Sequence, residues 1–197
     1  MSKVVLGVTG SIAAYKAAEL VRLMRKREWE VQVVMTAAAT KFIGPLTLRT
    51  LSNNPVAIEM FPEPPPEAVP HIALSDWGDC MVVAPCTANV IAKMAHGLSD
   101  DLLACTLLSC NVPIVMAPAM NVKMWDHPAT QANVALLKER GVTVLDVGEG
   151  DLAKRRIDGL LAEVRHIEVT LVLCDLLGRG IQQSIHESWV PVDSSQG

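Results

Sequence analysis

Val112-Pro113-Ile114-Val115-Met116-Ala117-Pro118-Ala119-Met120-Asn121-Val122-Lys123-Met124-Trp125 is the stretch on which the reading of this chain turns. Its first five residues are apolar and read as a buried strand. A proline just past a strand end forbids further ladder pairing, so the chain must leave the sheet at Pro118. Asn121 then lies outside the carboxyl end of a strand, where open α/β sheets bind their ligands. Two readings stand at this point: a ligand-binding amide, or an ordinary strand-to-helix loop with an Asn cap.

The same grammar recurs along the chain. Cys80 to Ala84 reads as a strand ended by Pro85, followed by Cys86-Thr87-Ala88-Asn89 and a helix over 90–95. Two strands finishing in Ala-Pro, each followed by a polar residue and a helix, suggest two walls of one crevice. Lys3 to Val8 is a short buried strand, broken by Thr9-Gly10-Ser11. A helix with Ser11 as N-cap and an apolar stripe of Ala13, Ala17, Leu20, Val21 and Met24 follows over 12–27. Glu30 to Met35 is another strand, with 36–40 as its exit loop. A helix beginning at Pro45 is expected within 41–54, a short one over 71–77, a further one over 100–109, and one over 127–139. Val142 to Val147 reads as the fifth strand. Strand and helix alternating at this spacing predict an α/β fold, a doubly wound parallel sheet with right-handed crossovers.

Composition narrows the classes. The 197 residues suffice for one domain with a sizeable core, expected over 1–177, with a polar C-terminal tail over 178–197. Half the residues are hydrophobic and only 4% aromatic, so the core must be aliphatic. A net charge of −4 gives no electrostatic reason to expect nucleic acid or an anionic membrane as partner. The five cysteines, Cys80, Cys86, Cys105, Cys110 and Cys174, sit in apolar surroundings without CxxC spacing, as buried thiols of a reducing compartment do. The first apolar run is too short for a signal peptide, and none reaches the roughly 20 residues of a membrane span, so a cytoplasmic protein is expected.

The chemical candidates each carry a plain alternative. Gly7-Val8-Thr9-Gly10-Ser11-Ile12-Ala13 joins a strand to a helix N-terminus and suits a mononucleotide phosphate or simply caps the helix. It is neither GxGxxG nor a P-loop. Thr36 and Thr40 are extra phosphate donors or turn residues. Phe61-Pro62-Glu63-Pro64-Pro65-Pro66-Glu67 is a stiff surface linker or a wall beside a site, and it leads to His71, the best acid/base candidate. No pair of histidines has metal-ligand spacing.

Taken in order, Gly10-Ser11-Ile12-Ala13-Ala14-Tyr15-Lys16, His71 with Ile72, Leu74 and Trp77, Pro85-Cys86-Thr87-Ala88-Asn89-Val90, and Pro118 to Trp125 form four motifs. Over residues 3–147 the chain resembles the homo-oligomeric flavin-containing cysteine decarboxylases. That family includes phosphopantothenoylcysteine decarboxylases and the decarboxylases of C-terminal cysteines in ribosomal peptides. The resemblance implies a Rossmann-like flavoprotein that binds FMN, assembled as homotrimers that pack into dodecamers, with flavin sites at subunit contacts. It implies that Gly10, Ser11 and Ile12, with Thr36, hold the FMN phosphate, and that Thr87, Ala88, Asn89 and Ala119 line the flavin. It further implies that His71 is the active-site base, that Asn121 binds the substrate carboxylate, and that Met124 shapes the site near flavin and substrate. The implied chemistry is oxidation of the cysteine at the carbon bearing sulfur, after which carbon dioxide leaves easily.

The coenzyme A branch of the family carries a later motif, roughly GxLACGxxGxGRxxE. Here the stretch reads Gly150-Asp151-Leu152-Ala153-Lys154-Arg155-Arg156-Ile157-Asp158-Gly159-Leu160-Leu161-Ala162-Glu163, with Lys154 in the cysteine's place. The peptide decarboxylases also lack that cysteine. On this departure the expected activity is decarboxylation of a peptide's C-terminal cysteine to an aminoenethiol. Lys154, Arg155 and Arg156 then lie over the substrate or form a solvated basic loop. The alternatives are a phosphopantothenoylcysteine decarboxylase and a non-catalytic flavoprotein subunit.

Overall fold

A computed structural model describes residues 2–145 and the backbone of 160–161. Its strands are β1 (Lys3–Val8), β2 (Glu30–Met35), β3 (Val56–Ala57), β4 (Cys80–Cys86), β5 (Ile114–Pro118), β6 (Met120–Asn121), β7 (Thr143–Val144) and β8 (Leu160–Leu161). The α-helices are α1 (Ala17–Lys26), α2 (Pro45–Ser52), α3 (Pro70–Trp77), α4 (Ala88–His96), α5 (Leu102–Ser109), α6 (Val122–Trp125) and α7 (Pro128–Glu139).

Six strands form a sheet in the order β3-β2-β1-β4-β5-β7, and all its pairings are parallel. This is the doubly wound arrangement, and the order reverses between β1 and β4. Side chains alternate between the two faces, as the strand period of two requires. Val4, Leu6, Val8, Val82, Ala84, Val115 and Ala117 pack with Leu20, Val21, Met24 and Leu48 of α1 and α2. Val5, Met81, Val83, Ile114 and Met116 pack with Leu74, Ile91, Leu103 and Leu137 from the opposite layer. Each large aliphatic side chain buried this way stabilises the fold by about 1.5–3 kcal/mol. The α5 layer comes close because residue 7 has no side chain: a Cβ on Gly7 would lie 2.6 Å from Leu103 Cδ1.

Local chemistry sets the element ends. Asp101 caps α5, its Oδ1 accepting the Ala104 N–H at 2.8 Å, and Pro45, Pro70 and Pro128 open their helices where no N–H is needed. Asn53 and Gly97 end α2 and α4 with positive φ.

Three expectations are corrected. The helix predicted over 12–27 opens as a 3-10 turn over Ile12–Lys16 before α1 begins. Pro85 does not end β4, which continues to Cys86 after a register shift between Val83 and Cys86. The fifth predicted strand is shorter, Thr143–Val144, and the two-residue strand β3 was not predicted. The polar tail over 178–197 and the Lys154 cluster lie outside the described residues.

Candidate active site

The loops after β1, β2, β4 and β5 meet at the carboxyl edge of the sheet, and short contacts tie them together. Gly10 sits against Ala38 of the loop after β2, so closely that a Cβ on Gly10 would fall 2.5 Å from Ala38 Cβ. Thr9 joins the loops after β1 and β4: its hydroxyl donates to the Pro85 carbonyl at 2.7 Å and accepts the Thr87 N–H at 3.1 Å. The Ala119 N–H donates to the Cys86 carbonyl at 2.9 Å, joining the loops after β4 and β5. The predicted crevice walls are therefore neighbours.

Within the first loop, hydrogen bonds sort the amides. Ser11 N–H donates to the Thr9 carbonyl at 2.9 Å, Ala13 N–H to Ser11 Oγ at 3.3 Å, and Ala14 N–H to the Ser11 carbonyl at 2.9 Å. Among the described residues the Gly10 and Ile12 amides keep no such bond, and Ile12 is half exposed. Thr36 Oγ1 accepts the Ala39 N–H at 3.3 Å, which leaves its own proton for a ligand. Thr40 is different: its hydroxyl donates to the Ala37 carbonyl at 2.8 Å, so its proton is spent in the turn.

Thr87 is the N-cap of α4, yet its side chain does not cap. The first-turn amides of Ala88, Asn89 and Val90 thus have no partner among the described residues, because a helix cannot satisfy them internally. Asn121 is the N-cap of α6, with Oδ1 accepting the Lys123 N–H at 2.9 Å. Met124 is on the same short helix and half exposed, and Ala119 is buried. Asn121 also pairs with Leu160, and Met120 with Leu161, in an antiparallel two-residue ladder.

His71 lies in the first turn of α3, after Pro70. Its Nδ1 is buried and has no hydrogen-bond partner among the described residues. No hydrogen bond links it to the four loops. Beside it, a groove of about 490 Å³ runs between the exit of β3, the proline-rich segment and α3, lined by Ile58, Pro62, Pro66 and Ala73 among others. The proline-rich segment is a wall of that groove. A second cavity of about 560 Å³ is lined by Asn111–Ile114 and Gly141–Thr143, at the opposite ends of β5 and β7. Ligands of doubly wound sheets bind at the carboxyl edge, so the four-loop cluster is the candidate site.

Other polar groups have local duties. Lys93 holds Asp100 and Asp101. Burial pushes its pKa down, but the hydrogen bonds to the two carboxylates outweigh that and leave it raised. His127 caps α7, Nδ1 accepting the Ala129 N–H at 3.2 Å, and His96 Nε2 lies 3.0 Å from Asn133 Oδ1. Burial raises the thiol pKa of Cys80 to about 12 and that of Cys86 still further, so neither offers a thiolate.

A family model described as Flavoprotein matches residues 1–173. The chain belongs to the flavoprotein family. It is 44% identical over 150 residues to the "Coenzyme A biosynthesis bifunctional protein CoaBC" of Bacillus subtilis (strain 168), covering 76% of this chain and 37% of that protein. The chain thus spans little more than a third of those bifunctional relatives. It is 44% identical over 163 residues to the "Probable phosphopantothenoylcysteine decarboxylase" of Streptococcus mutans serotype c (strain ATCC 700610 / UA159), covering 77% of this chain and 91% of that one. Among solved structures it resembles the FMN-dependent cysteine decarboxylase SpaF, with a TM-score of 0.76, 32% identity, and coverage of 88% of this chain and 96% of that one.

These relatives overturn one expectation. The missing cysteine at Lys154 favoured a peptide substrate, yet these relatives are named for coenzyme A biosynthesis in one case and as a probable phosphopantothenoylcysteine decarboxylase in the other. The departure at Lys154, with two glycines absent and the motif about one residue short, weighed less than the likeness over the rest of the chain. Thr9 was read as part of the strand break and of the candidate phosphate loop, with no role of its own. Its signal was a hydroxyl at the end of an otherwise apolar strand, next to a glycine.

Proposed function

We propose that this protein is an FMN-dependent phosphopantothenoylcysteine decarboxylase. The observation that carries the reading is the cluster of four loops at the sheet's reversal point, joined by Gly10–Ala38, Thr9–Thr87 and Cys86–Ala119, with Asn121 beside it. The donor set fits a mononucleotide. The open amides of Gly10 and Ile12 and the Thr36 hydroxyl suit a phosphate, and Ser11 belongs to the same turn. Gly10, lacking a Cβ, lets the loops after β1 and β2 close on each other. The open first turn of α4, with Thr87, Ala88 and Asn89, and the buried backbone at Ala119 suit the polar edge of a flavin.

FMN, when bound, supplies a two-electron acceptor for the carbon that bears the substrate's sulfur. His71 takes the thiol proton, and its Nδ1, unpartnered among the described residues, leaves the ring free of a competing bond. The Asn121 amide nitrogen donates to the substrate carboxylate, while its oxygen is committed to the α6 cap. Met124 adds a soft apolar wall. Homotrimers and dodecamers, with flavin sites at subunit contacts, belong to the same reading; among the described residues His71 Nδ1 has no hydrogen-bond partner.

The test is product mass. FMN-loaded protein incubated with phosphopantothenoylcysteine should remove carbon dioxide from it. Flavin bound and substrate mass unchanged would overturn the assignment.

A further inference from the structure

The ladder between β1 and β4 runs from Val4↔Cys80 to Gly7↔Val83 and then stops. Beyond it β4 shifts register, and Pro85 has no N–H to give. In a parallel ladder, the N–H and C=O of one residue bond the carbonyl and amide that flank a single residue of the neighbour. Thr9 serves both with one atom. Its Oγ1 donates to the Pro85 carbonyl and accepts the Thr87 N–H, the two groups that flank Cys86. On the other side, the Cys86 carbonyl accepts the Ala119 N–H. A side-chain hydroxyl therefore replaces a backbone rung where proline interrupts the ladder, at the place where the strand order reverses. Thr9 and Pro85 are buried, so water offers the Pro85 carbonyl no substitute.

The arrangement also decides which amides remain for a ligand. Thr87 N–H is consumed by Thr9, whereas Ala88, Asn89 and Val90 follow in the open first turn of α4. We propose that Thr9 is a positioning residue: its hydroxyl fixes the turn at 85–87 and so aims the open amides of α4 at the flavin. This rests on the FMN-dependent decarboxylase reading above.

Valine matches threonine in shape but lacks the hydroxyl, and serine keeps it. In Thr9→Val the flavin absorption band should shift and kcat per bound flavin fall by about tenfold to a hundredfold, with KM little changed. Thr9→Ser should keep the wild-type spectrum and kcat. A wild-type spectrum and kcat in Thr9→Val overturns the proposal, as does a Thr9→Ser variant that behaves like Thr9→Val. Hydrogen–deuterium exchange on the unmodified protein decides the matter even if Thr9→Val does not fold. Without flavin, the Thr87 amide should be protected while those of Ala88 and Asn89 exchange, and FMN should then protect the latter two. Equal exchange at all three positions without flavin overturns the proposal. The wild-type protein is assayed in parallel with phosphopantothenoylcysteine. If it binds FMN yet leaves that substrate intact, the functional reading fails while the exchange and spectral results still judge Thr9.

Discussion

Asn121 and Lys123 are joined by a hydrogen bond of 2.9 Å in which the side-chain oxygen of Asn121 accepts the Lys123 backbone N–H. The oxygen thus caps α6, and in the proposed function the amide nitrogen is the donor to the substrate carboxylate. Substitutions can separate them. Asn121→Asp keeps an acceptor for the cap but places a negative charge where the substrate carboxylate should bind. It should fold and hold flavin normally while decarboxylating at least about a hundredfold more slowly. Asn121→Ala should lose the cap as well, at a cost of about 1 kcal/mol in stability. Thermal melts and product mass read the two effects separately. Wild-type turnover by Asn121→Asp removes Asn121 from carboxylate binding.

Gly10→Ala tests the phosphate loop. The added methyl would meet Ala38 Cβ at 2.5 Å and the Ala38 carbonyl carbon at 3.2 Å, so the loops after β1 and β2 must separate. Overpacking of this kind costs about 1–3 kcal/mol. FMN affinity should fall by at least about tenfold, read by titration of flavin fluorescence. Unchanged affinity argues that the phosphate lies elsewhere.

His71→Asn removes the ring whose Nδ1 is buried and unpartnered among the described residues. Because no hydrogen bond connects His71 to the four loops, flavin content should stay at the wild-type level while decarboxylation disappears. Visible absorbance and product mass check the two halves of that statement. Undiminished turnover refutes the base assignment.

Thiol titration follows from burial. The folded chain raises the pKa of Cys80 from 9.0 to about 12 and raises that of Cys86 further, mainly by desolvation. The reactive form is the thiolate, so both thiols should resist an aromatic disulfide reagent at pH 8 until the chain is unfolded. The sign for stability is the same. A proton held more tightly by the folded state stabilises it fully below the unfolded value of 9.0, and that contribution declines as pH rises from there towards about 12. Rapid labelling of Cys80 or Cys86 in the native protein would contradict their burial.

The frame was legible because its signals are local. The apolar runs at Lys3–Val8, Glu30–Met35, Cys80–Ala84 and Ile114–Met116 lie where strands form, and Ser11, Asp101 and His127 lie where helices begin. What escaped was set by distant partners. Strand β3 has two residues, too few to show a period, and exists because Val33 and Val34 pair with Val56 and Ala57. The extension of β4 past Pro85 rests on the pairing of Cys86 with Pro118 of β5, and Thr9, 76 positions before Pro85, bonds the Pro85 carbonyl beside it. The Asn cap and the ligand amide, posed as alternatives at Asn121, use different atoms of one group and are compatible. The substrate was misjudged because Lys154 was given more weight than the similarity of the rest.

The two outermost strands of the described sheet, β3 and β7, contribute two residues each. Sheets with long bare borders invite foreign strands to add on, the first step towards aggregates and fibrils. A border of two residues offers little to copy. Among the described residues the sheet is thus protected against open-ended growth, and crowding should favour association through helices and loops, where side-chain shape selects the partner.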